Sequence, residues 1–432
     1  MSTLRPKHSP APDAAAPTSD RVRHLWRFLL GELKPKGPLL TWFNAISIPI
    51  MLLGAVLLWI RFTQGLGAIT NLSQQVPWGL WIGFDVVTGV AFAGGAYVLT
   101  LMVYVLRVEK FHPIVRVTVL NGLLAYIFYA GALLLDLGRP WAVINPIIGN
   151  SFGVSSVLFL VAWHFMLYML AALLEFSPAI AEWLGWRRAH RILNGLTLGA
   201  VIFGVTLSVL HQSGLGALYL MAKGKIHPLW YSEFIPVLFL VSSVFAGLSL
   251  VVFEGAISRR VFRLRMSPEH HSQHDDIVLS LARISAGAMF VYLFLKLLDF
   301  VHGQHAALLA TPMGAWYLLE ILGFVLLPCM LFLRAAQRRS TRLALVASGM
   351  ALVGVLLNRL NVTVIAFKWY EPVRYVPSWQ EVVVTLAVIS AEIWAFRWIV
   401  NRMPVVSPPP EWAAEDSGAA PALKYRPLET EA

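Results

Sequence analysis

The sequence predicts an all-α integral membrane protein, a polytopic bundle of about ten transmembrane helices with both termini in the cytoplasm. Three observations predict it. Of 432 residues, 58% are hydrophobic and 13% charged, about half the roughly 25% charged share of a soluble domain. Apolar runs long enough to cross a bilayer follow one another along nearly the whole chain, and each crossing takes roughly 20 residues. The basic residues are dense in alternate connections, as the positive-inside rule requires.

Met1 to about Asp20 is rich in Pro, Ala and Ser and has no apolar run. It reads as a disordered tail and not as a signal peptide. Next, Leu25, Trp26, Phe28 and Leu29 stand beside Arg21, Arg23 and Arg27. This pattern suits a helix lying on the membrane surface, and an ordinary helical leader fits it equally well. Residues 1–36 make up this cytoplasmic segment.

Residues 37–403 hold the ten runs, at 39–61, 77–106, 113–135, 151–175, 192–212, 229–255, 277–301, 313–333, 343–367 and 379–400. The second, sixth and ninth are long enough to tilt, kink or extend beyond the bilayer. Pro49, Pro236 and Pro328 lie inside runs, where neighbouring helices can satisfy the freed carbonyls. Gly89, Ala93, Gly94 and Gly95 in the second run, and Gly195 and Gly199 at GxxxG spacing in the fifth, are expected to let helix backbones approach closely. Residues 404–432 form a cytoplasmic Pro-rich tail.

With this topology Arg61, Arg139, Lys223, Lys225, Lys296, Arg359, Lys368 and Arg374 fall outside, and the other 26 of the 34 Lys and Arg fall inside. The net charge of +11 is therefore a sidedness signal, and no nucleic acid is needed to explain it. The single cysteine, Cys329, excludes an internal disulfide, a cysteine-ligated iron–sulfur cluster and a c-type haem in this chain, since each needs several thiols. No metal site is predicted.

Ionisable groups inside spans carry the functional information, because each is costly in hydrocarbon unless it meets a partner or water. Asp85 lies about two turns into the second run, with no sequence-local cation. Asp136 and Arg139 close the third run, as an interfacial ion pair or as part of a site. His211 and Gln212 close the fifth, where a wet imidazole could exchange protons near neutral pH. Lys296 and Asp299 read as an internal pair, Glu320 is two turns into the eighth run, and Arg359 lies in the outer part of the ninth. Towards the inside stand Glu175 and Glu254, with His164 and Glu392 nearer mid-membrane. Haem is disfavoured, because helix rise puts His164 roughly 20 Å below the outer surface while His211 lies near an outer end.

The run Pro77-Trp-Gly-Leu-Trp-Ile-Gly-Phe-Asp85, the stretch His112 to Arg116, Leu135-Asp-Leu-Gly-Arg139, Leu173-Leu-Glu-Phe-Ser-Pro178, Leu210-His-Gln-Ser-Gly-Leu-Gly216, Lys225-Ile-His-Pro-Leu-Trp230, Phe253-Glu-Gly255 and the Asn358-Arg359 region together resemble the HybB-type membrane subunits of nickel–iron hydrogenases. These are a branch of the NrfD/polysulfide reductase membrane-subunit family. The resemblance covers roughly Pro38 to Pro404; Pro140 departs from it, standing where an aromatic residue is expected.

The resemblance implies a haem-free, quinone-reactive subunit of a hydrogenase-type respiratory complex in the bacterial inner membrane. Its implied partner is a periplasmic ferredoxin-like iron–sulfur subunit, with the hydrogenase large and small subunits beyond it. The implied substrate is menaquinone or ubiquinone, with Asp85 and His211 as catalytic groups and Trp81, Asp136, Arg139, Gln212 and Arg359 completing the quinone site. His164, Glu175, Glu254, Glu320 and Glu392 are the candidate proton path from the cytoplasm, with entry from the periplasm as the alternative. Three alternatives stand beside this reading: a related complex of the same family (polysulfide reductase or an alternative quinol-oxidising complex), a proton-coupled transporter, and a pure membrane anchor.

Overall fold

The computed structural model describes residues 18–36, 38–145, 153, 155–261, 268–372 and 374–416. Ten helices in it are long and apolar enough to cross a membrane: Trp42–Gln64, Trp81–Val105, Glu109–Asp136, Val157–Leu184, Arg187–Ala222, Ile235–Val261, Gln273–His302, Pro312–Gln337, Thr341–Ile365 and Trp379–Val400. These ten spans match the ten runs one for one. Residues 151 and 152, the predicted start of the fourth run, and the disordered reading of residues 1–17 lie outside the described residues. The predicted surface stretch falls within a helix, Thr18–Glu32, whose Phe28 ring packs 5.3 Å from that of Trp183 in the fourth span.

An even number of crossings returns the chain to the face it left, and Arg402 makes that return visible. It donates to the Glu32 and Lys34 carbonyls at 2.7 and 2.8 Å, joining the two ends of the described chain on what we call the terminal face. The sixth span is the hub and packs against the second, fifth, seventh and ninth. The first and tenth spans pair at the periphery, linked by Trp394 to Ser47 at 3.0 Å and Arg397 to Asn44 at 3.0 Å. Large apolar side chains such as Trp59, Phe290 and Leu297 point outwards. That is the surface a lipid solvent requires, since backbone polar groups in it must be satisfied inside helices.

Small residues decide how closely the hub can be approached. A Cβ on Gly247 of the sixth span would lie 1.7 Å from the Gly95 nitrogen, and one on Gly94 would lie 2.0 Å from the Ser243 carbonyl oxygen. The second and sixth spans therefore touch backbone to backbone, as the small residues of the second run predict. The fifth span differs from expectation. Gly195 and Gly199 have nothing within 4 Å of a built Cβ and face outwards, because GxxxG spacing does not say which side of a helix meets a neighbour.

Five stretches of the spans wind as π-helix: Trp81–Val86, Leu101–Val105, Tyr126–Ala130, Leu319–Leu326 and Asn361–Ile365. π turns are rare and concentrate at functional sites. Asp85, Tyr126, Tyr129, Glu320 and Asn361 all sit on them.

Candidate functional site

The residues assigned by sequence to one quinone site fall into three groups, each with its own neighbours. The first group runs along the second, third and tenth spans. Asp85 is fully buried; one carboxylate oxygen accepts from Thr385 at 3.4 Å, and the other has no hydrogen-bond partner. Asp136 interacts with Asp85, Glu381 and Arg61. Its cation is thus Arg61 of the first span, whose Nε donates to the Leu135 carbonyl at 2.7 Å. This corrects the expected pairing with Arg139, which is exposed.

Deeper along the same line, the Tyr129 hydroxyl donates to Glu392 and lies within electrostatic reach of Asp85 and Glu254. Glu254 in turn accepts from Asn121 and interacts with Glu392. Carboxyl groups thus succeed one another from Asp136 at the far end of the bundle to Glu254 near the terminal face.

The second group surrounds Glu320. One of its oxygens accepts from Asn358 at 2.8 Å, and the other accepts from Trp230 Nε1 at 2.7 Å and Asn361 at 2.5 Å. The Asn358 side-chain amide oxygen Oδ1 accepts a 2.9 Å bond from Arg359. Arg359 also donates to Ser242 at 2.7 Å and to the Phe239 carbonyl at 3.2 Å, with its guanidinium 3.5 Å from the Phe239 ring centroid. Lys296 adds a second cation within electrostatic reach of Glu320. The other half of the expected Lys296–Asp299 pair, Asp299, accepts from Ser232 at 2.7 Å. Arg359 therefore belongs with Glu320 and not with Asp85, a correction to the predicted grouping.

The third group holds His211, Gln212, His164 and Glu175. The fifth span does not end at Gln212, as the hydropathy suggests, but continues to Ala222. His211 is accordingly buried, not wet at a span end, with its Nδ1 3.1 Å from the Val161 carbonyl oxygen and its ring 5.4 Å from Tyr126 and 6.2 Å from Phe165. Val161 lies one helical turn from His164 on the fourth span, so the two histidines are closer in depth than counting residues suggests. Gln212 donates to the Val90 carbonyl at 2.8 Å. Glu175 interacts with Tyr168, whose ring is 4.2 Å from that of Tyr126.

Trp81 is buried with Leu57, Ile69 and Val384, and its indole donates to the Glu381 carbonyl at 3.1 Å. Glu381 was not singled out from the sequence. It receives the Asn71 and Ser378 amides at 3.1 and 2.8 Å and the Tyr375 hydroxyl, while that hydroxyl accepts from the Leu80 amide at 2.9 Å. Burial and the bond to Glu381 push the Tyr375 hydroxyl above the ordinary phenol value, so it stays a donor. The pattern Ser378-Trp-Gln-Glu381, a capping box, could have identified Glu381. Nothing comparable marks Tyr129 or Thr385, whereas Asn358 falls in one of the motifs that carry the family resemblance.

Tyr375 also lines a cavity of about 360 Å³ at the far face, bounded by Val76, Thr363, Phe367, Lys368 and Arg374. Thr363 abuts the Asp85 segment, since a Cβ on Gly83 would stand 2.4 Å from its hydroxyl.

This is the setting in which the comparisons with known proteins apply. The family described as polysulphide reductase, NrfD, matches residues 68–367, well over half of the chain and all three polar groups save Arg61 and the tenth-span residues. The chain belongs to the NrfD family. Among its relatives, a protein of Nitratidesulfovibrio vulgaris strain Hildenborough is 39% identical over 376 residues, 87% of this chain and 97% of that one. The probable Ni/Fe-hydrogenase 2 b-type cytochrome subunit of Escherichia coli strain K12 is 29% identical over 372 residues, 84% of this chain and 93% of the relative. The menaquinone reductase integral membrane subunit of the same Nitratidesulfovibrio strain is 25% identical over 360 residues, 74% of this chain and 80% of the relative. This NrfD-family chain is thus a multi-pass membrane protein related to subunits of oxidoreductase complexes.

The second of those names implies a b-type haem for that relative, and among the described residues the setting of His211 does not fit one. Such a haem usually lies between two imidazoles on facing helices, whereas the His211 ring faces the rings of Tyr126 and Phe165.

Proposed function

We propose that this NrfD-family chain is the quinone-reactive membrane subunit of a respiratory oxidoreductase of the hydrogenase type. It sits in the bacterial inner membrane with its termini in the cytoplasm. An iron–sulfur subunit docked at the far, periplasmic face delivers two electrons, and two protons reach the quinone through this chain to give the quinol. The observation that carries the reading is Asp85: a fully buried carboxyl group with one oxygen free of any hydrogen bond, within a line of acids through the bundle. A group so placed can give and take a proton, which quinone chemistry demands and a passive anchor does not.

Menaquinone is the favoured acceptor, from the name of the menaquinone reductase relative. The line Asp136, Asp85, Tyr129, Glu392, Glu254 serves as the proton route, and the Glu320–Arg359 group holds the hub in shape. Purified with its partner subunits, the Asp85→Asn complex should reduce a soluble menaquinone analogue about 100-fold more slowly and keep full activity with an artificial soluble acceptor that bypasses the membrane subunit. An unchanged quinone rate removes Asp85 from the mechanism. Purification without any cluster-bearing partner would favour transport instead.

A further inference from the structure

The segment after the tenth span does not trail away from the bundle. Met403, Val405 and Val406 are buried. Arg116 of the third span donates to the Pro404 carbonyl at 3.1 Å from a guanidinium that grips Glu182 through two 2.7 Å bonds. His190 meets the same carboxylate at 3.1 Å. Trp412 then packs edge-on against His190, with ring centroids 5.3 Å apart, and lies 5.4 Å from the Arg187 guanidinium, while Ala413 is buried. Residues 403–413 thus make a strap over the terminal ends of the third, fourth and fifth spans, although the sequence reads the whole stretch as a tail.

Where the strap passes the third span, a cavity of about 30 Å³ between the third, sixth and seventh spans includes Glu254, Asn121, Thr118, Ser258, His274 and, from the strap, Val406 in its lining. That volume holds about one water, and the polar walls offer the two to four partners an ordered water needs. Glu254 is the last acid of the line from Asp85, and Val406 is the strap residue that lines its cavity.

We propose that this cavity is the proton intake of the chain and that its own C-terminal strap is the lid that closes it. Glu254 takes one proton from a water admitted to the cavity and passes one on towards Glu392, so its own charge is restored in each cycle. The strap can lift without unwinding a span: Pro408 and Pro409 are exposed, and its distal anchor is the Trp412 contact with His190 and Arg187. The polar fork at Arg116, Glu182 and Pro404 is the hinge side.

The inference rests on the proton-carrying role given to Glu254 above, but the lid is testable by access alone. In a Cys329→Ser background, Ser258→Cys reports on the cavity. The full complex in nanodiscs is treated with a small charged methanethiosulfonate reagent. The intact strap should keep labelling slow, and Trp412→Ala should speed it at least tenfold. Because that variant could fail to fold, a protease site replacing Ser407–Pro409 is cut after purification in a second arm, which should give the same acceleration. Unchanged labelling after the cut overturns the lid, and so does fast labelling with the strap intact. Neither readout involves quinone, so the result is separate from that of Asp85→Asn.

Discussion

Asp85 and Glu320 are both carboxyl groups buried inside the bundle, both on π-helical turns, and the protein treats them in opposite ways. Glu320 is saturated: three side-chain donors reach its two oxygens, and Arg359 and Lys296 lie close by. Asp85 has one long contact with Thr385 and an oxygen with none. A buried charge persists where donors and counter-charges surround it, and a half-satisfied group is the exception that calls for a role. The comparison therefore separates a carboxyl group fully engaged by side-chain donors from one with an oxygen left open, a distinction that burial alone does not make.

The most severe way to break the comparison is to remove the saturated acid. Glu320→Ala leaves the Trp230, Asn358 and Asn361 donors unpaired, deprives Arg359 of its nearby acid and leaves Lys296 with Asp299 alone of its two. The expected loss is about 3–5 kcal/mol, read as a large fall in the melting temperature of the solubilised complex or as failure to assemble. If Glu320→Ala instead folds normally and only slows quinone turnover, Glu320 belongs to the proton route after all.

Asp85→Asn is the converse. It nearly preserves shape and removes no strong bond, so stability should stay within about 1 kcal/mol of the parent, the order of a single hydrogen bond, while quinone turnover falls about 100-fold. A marked drop in melting temperature with turnover preserved would make Asp85 structural and erase the contrast. Trp230→Phe tests a single spoke of the Glu320 network. Its loss should cost about 1.5–3 kcal/mol, the worth of a hydrogen bond to a charged group, without changing quinone turnover per folded complex.

Much of this was legible in the sequence, and the limits are physical. The ten spans were readable because a bilayer imposes length and apolarity on each crossing, and Gly94 and Gly95 marked a true close contact. Depth and facing were harder. His211 reads as a span end because Gln212-Ser-Gly lowers the local hydropathy, yet the helix continues through it to Ala222. The candidate acids could be named one by one, but their grouping depends on which spans adjoin, so the sequence sets Arg359 in one site with Asp85 whereas the fold brings it beside Asn358 and Glu320. The π turns leave no compositional trace, and the uncharged half of each group, including Thr385, Tyr129, Asn358, Asn361 and Trp230, gives no signal in hydropathy.

The finest test concerns the one hydroxyl that Asp85 does touch. Thr385→Val keeps side-chain volume and shape in a position only 6% exposed, and it deletes a bond whose 3.4 Å length is beyond the usual range for hydroxyl donors. The expected cost in stability is below about 0.5 kcal/mol, under the typical net value of a hydrogen bond, with quinone turnover reduced by no more than a few-fold. Thermal melts and turnover measured on one preparation would separate two cases. A small effect on both leaves Asp85 as a group whose chemistry does not depend on its neighbour. A loss of turnover approaching that of Asp85→Asn, with the melt unchanged, would make Thr385 the next carrier in the line, so the contrast with Glu320 would rest on a hydroxyl relay and not on a solitary acid.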